Sequence, residues 1–211
     1  HDSRYQIYFQ HTSLEGWQQQ KALQEQQDKA AALLEQQTLD KVYPGEQQPE
    51  SDHFYQGEQS EAGINLGRHW RHSKSWFSYQ LSNKGQQNLT LRLEHFGLDG
   101  GRAFEVWLDD QKLTDVELKS GLGPDWYSVD YPIPNDLLPK NADHFRVKFV
   151  AKPGSIAGGL YQVRLLGQSL GSDPLGLSSI RYMGQSQGSD LVSFLNRYAG
   201  EYCATRLGIY P

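Results

Sequence analysis

Hydrophobic and polar residues alternate in three segments of the chain, which is typical of strands with one buried face. In each segment, three alternating positions hold leucine, valine or phenylalanine, and most of the residues between them are polar. The segments are NLTLRLEHF (88–96), RAFEVWLDD (102–110) and HFRVKFVA (144–151). We therefore expect their apolar residues to form a core between sheets.

Turn-forming residues separate these strands at short intervals. They lie at residues 99–101, 109–112, 121–124 and 132–139. Glycine, proline and aspartate favour tight turns, and no βαβ unit lies between the strands. The sequence predicts a mainly β fold in which residues 41–167 form an antiparallel β-sandwich of the jelly-roll, galactose-binding-like type, preceded by one long α-helix.

The helical pattern lies between residues 12 and 40. Its apolar positions fall on one stripe at helical spacing, and glutamines fill much of the remainder. Thr12 and Glu15 form a candidate capping box at its start. We expect a connecting helix from Ser13 to about Thr38 that packs against a neighbour along one side only.

The two ends of the chain differ from its middle. Tyr5, Ile7 and Phe9 alternate like a strand, so we interpret residues 1–11 as a strand remnant of a preceding sandwich domain. Residues 168–211 begin with a Gly/Ser-rich stretch and contain the single cysteine and the single methionine. We expect this tail either to form a helix at 189–202 or to be an extension without a native role.

Charge and composition narrow the classes of partner. The net charge is −5 and no basic stripe is present, so we expect no nucleic-acid partner. No apolar run reaches the length of about 20 residues that spans a bilayer. The single cysteine, Cys203, excludes an internal disulfide framework and a cysteine-rich metal site. A sugar or another protein is the expected partner.

Six motifs in a fixed order carry a family resemblance. They are PGEQQPESDH (44–53), GRHWR (67–71), WFSYQL (76–81), FEVWLDDQKL (104–113), VDYPIP (129–134) and KPGSIAGGLYQVRLL (152–166). Together with the leading HDSRYQIYFQ and the helix, they resemble the C-terminal region of bacterial glycoside hydrolases of the β-L-arabinofuranosidase type, families 127 and 146. The resemblance covers residues 1 to about 167.

This resemblance implies that the catalytic chemistry lies in another part of the polypeptide. In that family a nucleophilic cysteine, further cysteines and a glutamate surround a zinc ion in an upstream helical barrel, and no motif here matches them. Cys203 lies in the unmatched tail, so no catalytic role is transferred to it. The implied partners are the catalytic and middle sandwich domains of the same polypeptide and plant-type glycans, in a bacterial periplasmic or extracellular setting. No cofactor is expected in this region itself.

The candidate carbohydrate-binding residues lie in and around the GRHWR and WFSYQL motifs. They are Trp70, Trp76, Tyr79, His69 and Arg71. Aromatic rings stack on the apolar face of a sugar, and imidazole and guanidinium groups bond its hydroxyls. In an alternative interpretation, the tryptophans are wedged between the sheets and the arginines pair with Glu58 or Glu61.

Clustered carboxylates and histidines in the same region raise further alternatives. The carboxylates are Glu46, Glu50, Asp52, Glu58 and Glu61, and the histidines are His53, His69 and His72. A structural calcium ion needs several converging oxygens, and no Asp-x-Asp-x-Asp-Gly loop is present. A glycosidase pair needs two carboxylates about 5 to 9.5 Å apart with separated pKa values. The histidine spacing is not a metal-ligand signature. We expect neither a metal nor a catalytic pair.

The glycine-rich segment KPGSIAGG (152–159) is followed by a strand and not by a helix N-terminus. A phosphate-binding loop requires such a helix. We therefore expect a sharp turn or bulge that leads into the closing strand.

Two functional hypotheses follow, and in both the chain alone is not an enzyme. The first is a noncatalytic C-terminal β-sandwich region with a structural or assembly role in a glycoside hydrolase of the β-L-arabinofuranosidase type. The second is a carbohydrate-binding module for arabinose-containing glycans. Exposed aromatic rings would favour the second, and burial of Trp70, Trp76 and Tyr79 would favour the first.

Overall fold

The computed structural model describes residues 13–139 and 142–167. The strand predicted within residues 1–11, the helix predicted at 189–202 and Thr12 lie outside the described residues. The helices are α1 (Leu14–Gln37), α2 (Gln47–Asp52) and a short 3₁₀ helix (Asn135–Leu137). The strands are β1 (Thr38–Val42), β2 (Gln56–Asn65), β3 (Arg68–Ser82), β4 (Thr90–Phe96), β5 (Ala103–Leu108), β6 (Gln111–Glu117), β7 (Trp126–Pro132), β8 (His144–Ala151), β9 (Ala157–Leu160) and β10 (Gln162–Leu166).

Two antiparallel sheets make up the sandwich. The first has the strand order β1-β10-β4-β7, and the second has the order β2-β3-β8-β5-β6 with β9 paired to β3. The predicted fold class, a mainly β antiparallel sandwich preceded by one long helix, is confirmed. Its first strand begins at Thr38, ahead of the predicted residue 41, because the chain pairs with β10 directly after α1.

The core consists of the apolar positions that alternate along the predicted strands. Their side chains are buried between the sheets: Leu89, Leu91, Leu93, Phe104, Val106, Leu108, Phe145, Val147 and Phe149. Because successive residues of a strand point to opposite faces, the residues between them lie on the outer faces of the sheets. This alternation places Trp107 and Lys148 on the outer face of the second sheet.

The helix α1 is capped by Ser13 and not by the predicted Thr12. The Oγ of Ser13 accepts a hydrogen bond of 3.1 Å from the backbone N–H of Gly16. No residue of α1 is buried. Near its C-terminal end, Glu35 accepts hydrogen bonds from Lys41 and Arg164 of the sandwich. The expected one-sided packing of α1 is therefore not formed along its length within the described residues.

The glycine-rich segment forms the predicted bulge. Gly158 and Gly159 have φ angles of +89° and +59°. The register of β9 on β3 shifts between Arg71 and His72, and the chain then continues into β10. None of the helices in the described part of the chain is long and apolar enough to cross a membrane.

Candidate functional site

Tyr79 lies in the core and not on the surface. Its ring centroid is 5.9 Å from those of Tyr55 and Phe77, and its hydroxyl donates a 2.7 Å hydrogen bond to Oε1 of Glu50. The side chain is completely buried. The alternation along β3 directs Tyr79 inward, so its ring is not exposed at the surface.

Arg71 belongs to the same buried group, which we call the Glu50 network (Glu50, Arg71, Tyr79, Tyr55 and Ser60). The Nη2 of Arg71 donates to Oε2 of Glu50 at 2.6 Å, and its guanidinium lies 4.1 Å from the ring centroid of Tyr55. Burial alone would raise the pKa of Glu50, but hydrogen bonds from Arg71, from the backbone of Gly45 and from Tyr79 hold it below its ordinary value. The guanidinium group of Arg71 is therefore engaged by partners within the Glu50 network. Its partner is Glu50 and not Glu58 or Glu61.

Trp70 is half-buried and points to the opposite face from Arg71, as neighbouring residues of a strand do. It shares its face with Arg68 and His72, and its ring centroid lies 4.8 Å from that of His72. The indole also covers Gly63 of β2, where an added Cβ would come within 2.5 Å of Cζ2 of Trp70. Gly63 thus makes room for the Trp70 ring.

His69 and Trp76 lie apart from Trp70. His69 is half-buried, pairs in register with Ile64 and points to the opposite face from Trp70. Trp76 follows a register shift between β2 and β3. Its Nε1 donates a 3.0 Å hydrogen bond to Glu58, and Nζ of Lys148 lies 4.3 Å from its ring centroid. The predicted carbohydrate-binding residues therefore do not form one site.

One end of the sandwich brings together three connections, which we call the loop end. They are the turn from β2 to β3 (65–68), the connection from β4 to β5 (97–102) and the loop from β6 to β7 (118–125). The backbone N–H of Gly97 bonds the carbonyl of Asp125 at 2.8 Å, and that of Gly101 bonds Leu118 at 2.7 Å. These bonds hold the second and third connections side by side.

A stack of Arg68 on two aromatic rings joins the first connection to the rest of the loop end. The guanidinium carbon of Arg68 lies 4.9 Å from the ring centroid of Trp126 and 5.7 Å from that of Tyr161. Both Nη atoms of Arg68 bond the carboxylate of Glu94, and Asn65 donates a 3.1 Å hydrogen bond to the Tyr161 hydroxyl. A two-bond arginine–carboxylate pair fixes the guanidinium plane. The rings are therefore held in place before any ligand arrives.

A polar group of His72, Asp99 and Arg102 lies at the same end. The Nη2 of Arg102 donates a 2.6 Å hydrogen bond to Oδ1 of Asp99. A Cβ added at Gly159, whose φ is +59°, would lie 2.5 Å from Nη1 of Arg102, so the close approach requires glycine. Burial raises the pKa of Asp99 against the opposing effect of Arg102. Burial, followed by the charge of Arg102, lowers the pKa of His72, which is therefore neutral at pH 7.

Polar atoms without a hydrogen-bond partner are concentrated at the loop end. Among the described residues, they include Nδ1 of His72, Nη1 of Arg102 and Nε1 of Trp126, which are all buried. His95 is fully buried in the core, and its burial, opposed by a hydrogen bond with the backbone of Gly159, lowers its pKa to about 4. A buried polar group left unpaired costs about 1–3 kcal/mol. Such groups in one place are therefore suited to a polar ligand or a bridging water.

Exposed apolar side chains lie at the same three connections. They are Ile64, Leu66, Leu98 and Leu122, each at one of the three connections or beside it. Contiguous exposed apolar side chains on a soluble domain mark interaction surfaces. The loop end thus combines aromatic rings, unpaired polar atoms and an apolar rim, the composition of a small-molecule site.

Comparison with protein families identifies the relatives of this sandwich. The model of the family described as Family of unknown function (DUF6805) matches residues 33–166, more than half of the chain. The chain belongs to the DUF6805 family. The match begins in the last turns of α1 and ends with β10, so the DUF6805 domain includes the loop end. No curated protein sequence matches the chain, and the DUF6805 description does not name a β-L-arabinofuranosidase.

Solved structures resemble this DUF6805 sandwich at low sequence identity. The ANX1 ectodomain from Arabidopsis thaliana is 12% identical over 61% of this chain and 41% of that chain, with a TM-score of 0.43. A family 35 carbohydrate binding module from Clostridium thermocellum is 9% identical over 61% of this chain and 99% of that chain, with a TM-score of 0.43. The Podospora anserina GH26-CBM35 β-(1,4)-mannanase is 12% identical over 63% of this chain and 28% of that chain, with a TM-score of 0.40.

These likenesses concern the sandwich and carry no conclusion about the function of the DUF6805 chain. The chain spans 41% of the length of the ANX1 ectodomain that it resembles. The ANX2 ectodomain from the same plant gives a similar result, at 13% identity over 61% of this chain and 42% of that chain with a TM-score of 0.45.

The carboxylates and histidines considered as alternative metal or catalytic groups have separate partners in the DUF6805 chain. Within residues 13–139 and 142–167, no group of three or more His, Cys, Asp or Glu could hold a metal ion. His53 lies 2.9 Å from Asp40, whereas His72 lies 3.6 Å from Glu61. Glu50 and Glu58 take part in the contacts of Arg71 and Trp76 described above.

The candidates predicted from the sequence do not include Asp99, Arg102, Trp126 and Tyr161. Asp99 and Trp126 lie in or beside segments that were interpreted only as turns, and Tyr161 follows the predicted bulge. A usable signal was the aromatic residue placed directly after a Gly/Pro/Asp turn in GLGPDW (121–126). Their convergence requires pairing between strands that are distant in sequence, which periodicity within one strand cannot predict.

Proposed function

We propose that this chain is a noncatalytic carbohydrate-binding β-sandwich that recognises arabinose-containing glycans at its loop end. The observation that carries the proposal is the convergence there of fixed aromatic rings, unpaired polar atoms and an exposed apolar rim. Trp70, on the same face as Arg68 and His72, is the side chain with which a sugar ring would stack.

The chemistry of the loop end favours an uncharged, hydroxyl-rich ligand. Arg68 is paired with Glu94, and Arg102 is paired with Asp99, so the two guanidinium groups already have counter-charges. A sugar presents apolar C–H groups to an indole and hydroxyls to amide, imidazole and carboxylate groups. The neutral His72 can donate or accept through Nδ1, depending on its tautomer.

The arabinose part of the proposal rests on sequence motifs. The six ordered motifs resemble the C-terminal region of bacterial β-L-arabinofuranosidase-type glycoside hydrolases of families 127 and 146. We propose that the chain works beside a catalytic barrel of that type, which holds the zinc chemistry, and delivers it to plant-type glycans. The resemblance therefore selects the glycans to test first.

Calorimetric titration of the full chain with arabinan- and arabinogalactan-derived oligosaccharides tests this function. We expect saturable binding that Trp70→Ala weakens about tenfold or more, the effect of about 1.4 kcal/mol of lost stacking energy. Trp17→Ala, on the exposed helix α1, is the matched control and should bind like the wild type. Absence of heat with every oligosaccharide, or equal losses in both variants, would contradict glycan binding at the loop end.

A second candidate function, a structural role in the parent hydrolase, is favoured by the exposure of α1. Leu23 and Leu33, which lie on the apolar stripe of this helix, are exposed. An isolated helix gains most of its stability from packing of one face. We propose that this face packs on a neighbouring domain of the same polypeptide.

Deletion of residues 14–167 from the parent hydrolase tests the structural role. The melting temperature should fall by several degrees, while kcat on a small soluble substrate stays within about twofold. An unchanged melting temperature would reject the structural role. It would leave the loop-end proposal intact, because calorimetry measures that site separately.

A further inference from the structure

The outer face of the second sheet carries a separate aromatic surface. Trp76 of β3 and Trp107 of β5 flank the central strand β8, from which Lys148 and Val150 project on the same face. Trp76 is in register with Val150, and Trp107 is in register with Lys148. We call this surface the outer-face platform.

Each of the two indoles is fixed by a glutamate. The Nε1 of Trp76 donates to Glu58 at 3.0 Å, and that of Trp107 donates to Glu105 at 2.9 Å. Lys112 donates a 2.8 Å hydrogen bond to the other oxygen of Glu105. Both rings are half-buried. Because Nζ of Lys148 lies 4.3 Å from the ring centroid of Trp76, a sugar that stacks on Trp76 must displace this flexible side chain.

Carboxylates border an open depression beside the second indole. The depression has a volume of about 340 Å³ and is lined by Glu105, Trp107, Asp109, Asp110, Lys148 and Val150. Ligand sites commonly have volumes of about 300–1,000 Å³. Asp109 and Asp110 are exposed and supply acceptors for hydroxyl groups, while Lys148 supplies a donor. An anionic ligand would meet Asp109 and Asp110, so the lining favours an uncharged, hydroxyl-rich one.

The spacing of the two rings indicates an extended ligand. Trp76 and Trp107 are two strands apart and offset by two residues through their β8 partners. Their backbones are therefore about 10 Å apart across the strands and about 7 Å along them. A single sugar ring cannot lie on both indoles, whereas a chain of linked sugars can.

We infer that the outer-face platform is a second carbohydrate-binding site, which takes a neutral sugar chain across Trp76 and Trp107. The inference takes only its ligand class from the proposed function, since it rests on different residues. Two sites on one rigid sandwich would engage a polysaccharide together and raise its apparent affinity through effective concentration.

The five tryptophans of the chain provide separate reporters for an NMR test. Their indole ¹H–¹⁵N signals, assigned by single Trp→Phe substitutions, are followed while the full chain is titrated with arabino-, galacto- and xylo-oligosaccharides. Binding at the outer-face platform should shift the Trp76 and Trp107 signals along a saturating curve. Loop-end binding should shift those of Trp70 and Trp126, and Trp17 should stay in place as the internal control.

Substitutions test whether the outer-face platform binds oligosaccharides independently of the loop end. Trp107→Ala should raise the Kd obtained from the Trp76 signal about tenfold and leave the loop-end signals unchanged. Trp107→Phe should retain most of the affinity because it keeps an aromatic face. Unmoved Trp76 and Trp107 signals with every oligosaccharide, or a linear drift without saturation, would overturn the inference. If only the Trp70 and Trp126 signals of the wild-type chain stay unmoved, the result would instead contradict the proposed function.

Discussion

The Glu50 network and the loop end are built from the same kinds of residue but differ in how completely those residues are paired. In the Glu50 network, Arg71 has bonds to Glu50, Tyr55 and Ser60, and its side chain is only 11% exposed. At the loop end, Arg102 bonds Asp99 but leaves Nη1 buried without a partner. We infer from this difference that an arginine beside aromatic rings indicates a ligand site only where some of its N–H groups have no hydrogen-bond partner.

The contrast extends along the single strand β3. Arg68, Trp70 and His72 share one face of β3, whereas Arg71 lies on the other face and bonds the Glu50 network. One motif, GRHWR, therefore supplies both a structural ion pair and the proposed ligand contacts. Variants of β3 should separate stability from binding.

The largest expected effect is the loss of stability when the Glu50 network is broken. Arg71→Met leaves Glu50 buried without its counter-ion, and we expect the free energy of unfolding to fall by about 3–5 kcal/mol. Chemical denaturation measures it. Glycan affinity per folded molecule should stay the same, because Arg71 does not face the loop end.

Arg92→Met is the matched control for this variant. Arg92 also forms a two-bond pair with a carboxylate, Asp130, but both side chains are partly exposed. An exposed pair contributes about 0–1 kcal/mol. A loss of similar size in the two variants would show that burial does not distinguish the Glu50 network.

The next largest effect is on the pH dependence of stability, through His95. Burial lowers its folded pKa to about 4 from an ordinary value of 6.5. Above pH 6.5 the residue is neutral in both states, but as the pH falls toward 4 the unfolded state gains the proton first. The free energy of unfolding should therefore fall by about 3 kcal/mol as the pH is lowered from 6.5 to about 4.

Denaturation of His95→Phe from about pH 5 to pH 7 isolates this contribution, because carboxylates with lowered pKa values such as Glu50 stay ionised there. The variant should show a flatter profile than the wild type. His72, whose pKa is also lowered, contributes a smaller slope of the same sign. An unchanged profile would argue against a neutral, buried His95.

A smaller effect is expected when one unpaired donor is removed from the loop end. Trp126→Phe keeps an aromatic ring beneath Arg68 but removes Nε1. Because that N–H has no partner among the described residues, the variant should lose less than about 1 kcal/mol of stability. Glycan affinity should fall about fivefold, the value of one hydrogen bond of about 1 kcal/mol. A large stability loss with unchanged affinity would place Trp126 with the structural residues.

The smallest effect is expected at the rim. Leu66 is 70% exposed, so Leu66→Ser should change the free energy of unfolding by less than about 0.5 kcal/mol. Affinity for the oligosaccharide should fall about twofold to threefold, measured by calorimetry against the Leu14→Ser control on α1. Equal affinity in the two variants would remove the rim from the binding surface.

The fold was predictable from the sequence because its signals are local. The alternation at Leu89–Leu93, Phe104–Leu108 and Phe145–Phe149 gave both the strands and their buried faces, and the glycines at 158–159 gave the bulge. The cap of α1 is Ser13 and not the predicted Thr12. The prediction was wrong by one residue, because serine and threonine hydroxyls can both cap a helix.

The candidate site was only partly predictable because it depends on which strands pair. Trp70 was predicted from its motif as a candidate, but its separation from Tyr79 and Arg71 follows from the face that each residue occupies. The approach of Trp126 and Asp99 to β3 depends on contacts between distant segments. Composition near the GRHWR motif could not distinguish the Glu50 network, whose polar groups are hydrogen-bonded, from the loop end, where some polar atoms have no partner.

Hydrogen–deuterium exchange of the full chain, with and without saturating arabino-oligosaccharide, tests the comparison most directly. We expect slower exchange in segments 64–72, 97–102 and 118–126, with no change in segment 47–55 around Glu50. Protection of segment 47–55 without protection of the three loop-end segments, or no protection in any of them, would contradict this expectation.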